Sequence, residues 1–245
     1  MLYLIGLGLN AKGISLEGAE IVKRCKKVYL ENYTVDFPYS FEELKDVFGG
    51  KKIISLNREE VEKFKFIDES EKSDVALLVY GSPLIATTHV AIIDEAVKSG
   101  IKTKVIQGAS VLDGIARTGL QLYKFGKIAS MPEWKPEKSF TPDSFMEIVK
   151  NNKKINAHSL ILTDIGLDFQ EALKQLEQAA EKHNIKLDKL ILCQALGTKN
   201  EKIFYKEISE FKEFTGVRKP YCIIIPGNLH FIEKEILAGF EGEGD

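Results

Sequence analysis

Short apolar runs spaced by helical patterns constrain this chain more than any other feature. Leu2–Ile5 (LYLI), Lys27–Glu31 (KVYLE), Lys52–Leu56, Val75–Val79 (VALLV) and Thr103–Gln107 (TKVIQ) have the length and composition of strands. Between them, Leu16–Cys25 and Val90–Val97 carry apolar residues at helical spacing. Strands that alternate with helices run parallel, because each crossover helix returns the chain to the same sheet edge. The first half is therefore predicted to be α/β with a largely parallel sheet. From about residue 112 the rhythm changes. A helical stretch over Ser110–Leu122 is followed by a Pro-marked segment with Pro132, Pro136 and Pro142. Further strands are predicted at Ser159–Thr163, Lys189–Cys193 and Tyr221–Pro226, with Lys202–Lys206 as a hairpin partner or edge strand, and a helix over Phe169–His183. The expectation is two α/β domains with mixed, largely parallel sheets, spanning 1–111 and 112–245. The closing EGEGD reads as frayed.

Composition narrows the function. Formal net charge is -2 and no long basic block occurs, which argues against broad nucleic-acid binding. Cys25, Cys193 and Cys222 are scattered and read as core residues of a reducing compartment. There is no long apolar span and no signal-like start, so a cytoplasmic protein with no membrane segment is expected. The four histidines do not cluster in sequence, and no HExxH, GxSxG or P-loop is present, so no metal is expected.

Three loops at predicted strand ends stand out, because such ends converge on a crevice in open α/β sheets. Gly6-Leu7-Gly8-Leu9-Asn10-Ala11 fits GxGxxA, with Glu31 ending the next strand, as in a dinucleotide site. Against that, the first helix looks capped by Ser15 and opened by Leu16, which would move its N-terminus away from the glycines. The loop otherwise reads as a non-phosphate ligand loop or as a tight turn with no ligand. In VYGSPLIATTH, Gly81 allows close backbone approach and Pro83 fixes the turn. Thr87 and Thr88 are cap types for the following helix, and His89 is a base or a structural residue. Gln107-Gly108-Ala109-Ser110-Val111 is small enough to leave room for a ligand, with Ser110 as a cap. Asp113, Asp164 and Asp168 read as surface or capping residues.

LYLIGLGL, GSPLIATTH, GASVLDGIARTGLQLYKFGK, LILTDIG and IIIPGNLHFIE, in that order over nearly the whole chain, resemble the diphthine synthase family. That family belongs to the tetrapyrrole-methylase-like group of S-adenosylmethionine-dependent methyltransferases. The resemblance implies a two-domain homodimer binding S-adenosylmethionine in a cleft between its domains. It further implies methylation of the amino group of a carboxy-aminopropyl-modified histidine on translation elongation factor 2, in diphthamide biosynthesis. Cofactor contacts would fall on Leu9, Ser82, Ile85, Ser110, Val111, Thr163, Leu196 and Tyr221, with no catalytic side chain named. The sequence departs from the family at three positions: Ser82 where Asp is usual, and Gln107 and Tyr221 where His is frequent. A hydroxyl can hydrogen-bond the cofactor's ammonium but cannot pair with it ionically, a difference worth about 1–3 kcal/mol. Two other readings are an NAD-dependent oxidoreductase using Gly6, Gly8, Ala11 and Glu31, and a non-catalytic protein that binds cofactor or elongation factor.

Overall fold

The computed structural model describes residues 1–242, and the chain divides after Gly114 into two compact units. The first contains β1 (Leu2–Gly6), α1 (Leu16–Arg24), β2 (Lys27–Glu31), α2 (Phe41–Val47), β3 (Ile54–Leu56), α3 (Arg58–Glu62), α4 (Lys65–Ser70), β4 (Val75–Val79), α5 (Val90–Lys98), β5 (Thr103–Ile106) and α6 (Val111–Gly114). Its sheet has the order β3-β2-β4-β1-β5, and every pairing is parallel. The central strands β1 and β4 are buried on both faces, which is why they read as unbroken apolar runs. Their alternating side chains enter two separate cores. Tyr3, Ile5, Ala76 and Leu78 join one, and Leu2, Leu4, Val75, Leu77 and Val79 the other.

The second unit holds β6 (Ala129–Met131), α7 (Ser144–Lys154), β7 (Ser159–Thr163), α8 (Phe169–Lys182), β8 (Lys189–Gln194), β9 (Lys202–Glu207), β10 (Tyr221–Ile225) and α9 (Phe231–Ala238). Its sheet, β6-β7-β10-β8-β9, is mixed: β6 and β7 run parallel, and the remaining neighbours are antiparallel. β9 is the hairpin partner of β8 at the sheet edge, as its half-polar sequence suggests. α8 opens at Asp168, whose carboxylate accepts from Gln170 N and Glu171 N.

Several expectations need correction. The helix over Ser110–Leu122 breaks after four residues into a 3-10 turn, Ile115–Thr118, and a second one at Leu122–Lys124. Gly119 interrupts the path with φ +78°, and the Ile236 side chain fills the space where its Cβ would stand. β3 begins at Ile54 rather than Lys52, because it pairs only along Tyr29–Glu31 of β2. Neither Thr87 nor Thr88 caps α5. His89 holds the cap position without a side-chain cap bond, and Thr87 Oγ1 donates instead to Pro83 O at 2.7 Å. Of the closing EGEGD, Glu243–Asp245 lie outside the described residues, whereas Glu241 meets Lys189 Nζ at 2.6 Å.

Candidate functional site

In the first unit the loops after β1, β4 and β5 leave the same edge of the sheet, since these neighbouring strands are parallel. They are locked together through glycines. Gly8 and Gly81 exchange backbone hydrogen bonds of 3.1 and 3.0 Å. A Cβ on Gly6 would stand 2.6 Å from Gly81 O, and one on Gly108 would stand 2.5 Å from the same oxygen. So Gly6 and Gly108 serve backbone-to-backbone contact, while Gly8 and Gly81 adopt φ near +70°. The glycine run is thus used up by the protein itself.

That bears on the dinucleotide reading. α1 starts only at Leu16, with Ser15 Oγ accepting from Gly18 N at 3.1 Å, so α1 does not open within the glycine run as the helix of a phosphate cradle does. Glu31 is fully buried, and its oxygens accept from Tyr33 N, Thr34 N and Thr34 Oγ1 at 2.6–2.8 Å. It is committed to its own loop rather than to a ribose hydroxyl.

Five of the predicted cofactor residues come together on this edge. Leu9 is buried, and its carbonyl accepts from Tyr80 OH at 3.2 Å. Ser82 is 5% exposed and donates through Oγ to Gln107 Oε1 at 2.6 Å. Ile85, three residues further, is 39% exposed and so presents apolar surface. Ser110 is pinned by Asp113, whose Oδ2 accepts from Ser110 N at 2.6 Å and Ser110 Oγ at 2.9 Å. Ser110 Oγ in turn accepts from Leu112 N, which fixes Val111 at the start of α6. Asp113 therefore has the capping role its position suggests. His89 is buried with its Nδ1–H donating to Pro83 O at 3.1 Å, so it braces the turn and is not offered to a substrate as a base.

The other three, Thr163, Leu196 and Tyr221, share one edge of the second unit's sheet. Tyr221 pairs with Gln194 on β8, and Cys222 pairs with Leu162 on β7, which brings the end of β7, the start of β10 and the residues after β8 side by side. Thr163 Oγ1 donates to Tyr221 O at 3.2 Å. Tyr221 itself is turned inward: its hydroxyl donates to Leu167 O at 3.1 Å, and its ring lies 5.7 Å from that of Phe169. Its contribution to a ligand would be through the backbone. Leu196 is buried beyond Ala195, whose N–H donates to Pro220 O.

The sequence reading missed Gln107 as the partner of Ser82 and Tyr80 as the anchor of Leu9. It also missed a buried network at the opposite edge of the second sheet. There Glu233 accepts from Lys124 Nζ at 2.5 Å, His158 Nε2 at 3.2 Å, Gln121 N and His230 N. Burial opposes the charge on Glu233, but Lys124, these two backbone donors and His158 outweigh it and bring its carboxyl down to about 2. Lys124 lies in YKFGK, and His230 and Glu233 in GNLHFIE, stretches that were informative as motifs but silent about which residues meet. Among the described residues no group of three or more His, Cys, Asp or Glu is arranged to hold a metal ion, and no helix is long and apolar enough to cross a membrane.

Comparison with known proteins adds the following. Residues 1–212 match the family of Tetrapyrrole (Corrin/Porphyrin) Methylases. A diphthine synthase of Methanococcus aeolicus is 35% identical over 250 residues, covering 97% of this chain and 96% of that one. A diphthine methyl ester synthase of Mus musculus is 35% identical over 273 residues, covering 98% and 96%. A crystal structure of diphthine synthase superposes with a TM-score of 0.87 at 32% identity, covering 98% of this chain and 95% of the other.

Proposed function

The chain belongs to the tetrapyrrole methylase family, in its diphthine synthase branch, and on that premise we propose how it acts. It is an S-adenosylmethionine-dependent methyltransferase of diphthamide biosynthesis. Its acceptor is the amino group of the carboxy-aminopropyl-modified histidine on translation elongation factor 2. Leu9, Ser82, Ile85, Ser110 and Val111 of the first unit, with Thr163, Leu196 and Tyr221 of the second, would hold the cofactor. The homodimer comes from the same resemblance, and sedimentation of the purified protein tests it.

The observation that carries this reading is the edge where the loops after β1, β4 and β5 meet. It offers a fixed Leu9 carbonyl, a buried Ser82 hydroxyl and the exposed Ile85 side chain, all without a charged side chain in Gly81–Ile85 or Gln107–Ser110. Such a set suits a ligand with a nucleoside and a small polar end better than a pyrophosphate. When bound, S-adenosylmethionine supplies a methyl group already activated on a sulfonium. The protein's part is then to align donor and acceptor and to exclude water. An uncharged surface there favours the neutral, nucleophilic form of the acceptor amine. No dedicated base is needed, and the two buried histidines are both engaged in structure: His89 on Pro83 O and His158 on Glu233.

The name of the mouse relative raises a second product, with a methyl ester on the modified side chain. Calorimetric titration with S-adenosylhomocysteine and, separately, NAD tests the site. Micromolar binding of the first alone is expected, and binding of NAD instead would overturn the reading. Mass spectrometry of modified elongation factor 2 after turnover then separates an N-methylated product from one that also carries an ester.

A further inference from the structure

Ser82 and Gln107 sit on different loops, and the hydrogen bond between them decides what each can still offer. Ser82 Oγ uses its single proton on Gln107 Oε1 at 2.6 Å. What remains on the hydroxyl is acceptor capacity alone. Gln107 has its carbonyl oxygen occupied in the same bond, which leaves its Nε2 amide with two protons to donate on an exposed residue. Ser82 is buried and Gln107 exposed, so the acceptor lies at the base of the pair and the donor at its rim. The surrounding residues Gly81, Pro83, Gly108 and Ala109 add no side-chain polar group. Asp113, the nearest carboxylate in sequence, has one oxygen bound to both Ser110 N and Ser110 Oγ.

A neutral acceptor beside a neutral donor matches a zwitterion, whose ammonium needs the first and whose carboxylate needs the second. We propose that the Ser82–Gln107 pair recognises the amino-acid end of the cofactor. Gln107 Nε2 donates to its carboxylate, and Ser82 Oγ accepts from its ammonium. Gln107 is then a specificity residue, and Ser82 both binds and sets the orientation of the Gln107 amide. This rests on the reading that the edge takes S-adenosylmethionine. It adds which part of that molecule meets which atoms.

The test is calorimetric titration of the full chain with S-adenosylhomocysteine and with its decarboxylated analogue, which keeps the amine and lacks the carboxylate. Gln107→Ala is expected to weaken S-adenosylhomocysteine about tenfold, the effect of one hydrogen bond to a charged group. The same variant should leave the decarboxylated analogue within about twofold of the wild type, since only the missing carboxylate met Gln107. Gln107→Glu, which places a like charge there, should weaken S-adenosylhomocysteine further still and spare the analogue. Ser82→Ala should weaken both ligands. Because Gln107 is exposed, unchanged urea midpoints for its variants will show that folding is intact. Equal affinity of Gln107→Ala and wild type for S-adenosylhomocysteine overturns the proposal, and so does an equal loss for both ligands. If the wild type binds neither ligand, the cofactor reading itself fails and the proposal falls with it.

Discussion

Each unit buries one histidine beside one glutamate, and the two pairs are built differently. In the second unit every polar atom of the pair is used. Gly227 N donates to His158 Nδ1 at 2.9 Å, His158 Nε2–H donates to Glu233 Oε1, and Lys124 supplies a counter-charge. In the first unit Glu31 is satisfied by the loop Tyr33–Thr34 alone. His89 Nε2 stands 3.7 Å from Glu31 Oε2 with no hydrogen-bond partner. Residue type and burial are the same, since all four side chains are 1% exposed or less. What separates them is the tally of partners. The saturated pair ties three segments of the second unit together: Gln121–Lys124, Gly227–His230 and the residue before β7. The unsaturated one braces a single turn, through Pro83.

The largest effect should come from breaking the saturated pair. Glu233→Gln leaves Lys124 Nζ without its counter-charge in a site it shares with Asn228 O, and should cost roughly 3 kcal/mol in urea unfolding. The same difference has a pH signature. Glu233 titrates normally near 4.5 and is held at about 2 in the fold, so its contribution is complete above 4.5 and is lost as pH falls towards 2. His158 adds to the same trend. Burial lowers its pKa below 6.5 against the opposing pull of Glu233, so protonating it in acid also works against the fold. The gap in melting temperature between wild type and Glu233→Gln should therefore close between pH 4.5 and 2. A gap that stays constant down to pH 2 would show that Glu233 acts without its charge.

Glu31→Gln should do less, about 1 kcal/mol. The amide oxygen can still accept from Tyr33 N and Thr34 N, while the new amide can donate to Thr34 Oγ1, whose hydroxyl is free to turn. A cost equal to that of Glu233→Gln in the same urea assay would mean that His89 shares a charge with Glu31 after all.

The contrast also shows what was legible in the sequence. β2, β4 and β7 coincide with their predicted bounds, because apolar runs bounded by polar residues leave little freedom in register. α2 and α3 were overlooked although both open on capping boxes, Ser40 with Glu43 and Asn57 with Glu60. Their apolar periodicity is too short to register over seven and five residues. α7, α9 and β6 were also overlooked, and so was the break at Gly119, which depends on Ile236 more than a hundred residues away. The site loops were found from small residues at strand ends. Their chemistry was not, because the Ser82–Gln107 bond spans 25 residues and the Tyr80–Leu9 bond spans 71. Pairing across loops is a property of sheet order, which residue spacing does not encode.

The smallest effect sharpens the comparison most. His89→Asn keeps an N–H near the position of Nδ1, removes the unpartnered Nε2 together with Cε1, and puts an amide oxygen near the position of Cδ2. It should cost no more than about 1 kcal/mol in urea and leave S-adenosylhomocysteine affinity within about twofold, because Pro83 O keeps its donor. His89→Leu removes that donor, leaves Pro83 O with Thr87 Oγ1 as its one side-chain donor, and should loosen the turn that carries Ser82 and Ile85, with a measurable loss of affinity in the same titration. If Asn behaves as Leu does, the unpartnered Nε2 is the functional atom and the brace through Pro83 is incidental. If Leu behaves as Asn does, Thr87 Oγ1, which also donates to Pro83 O, holds the turn alone.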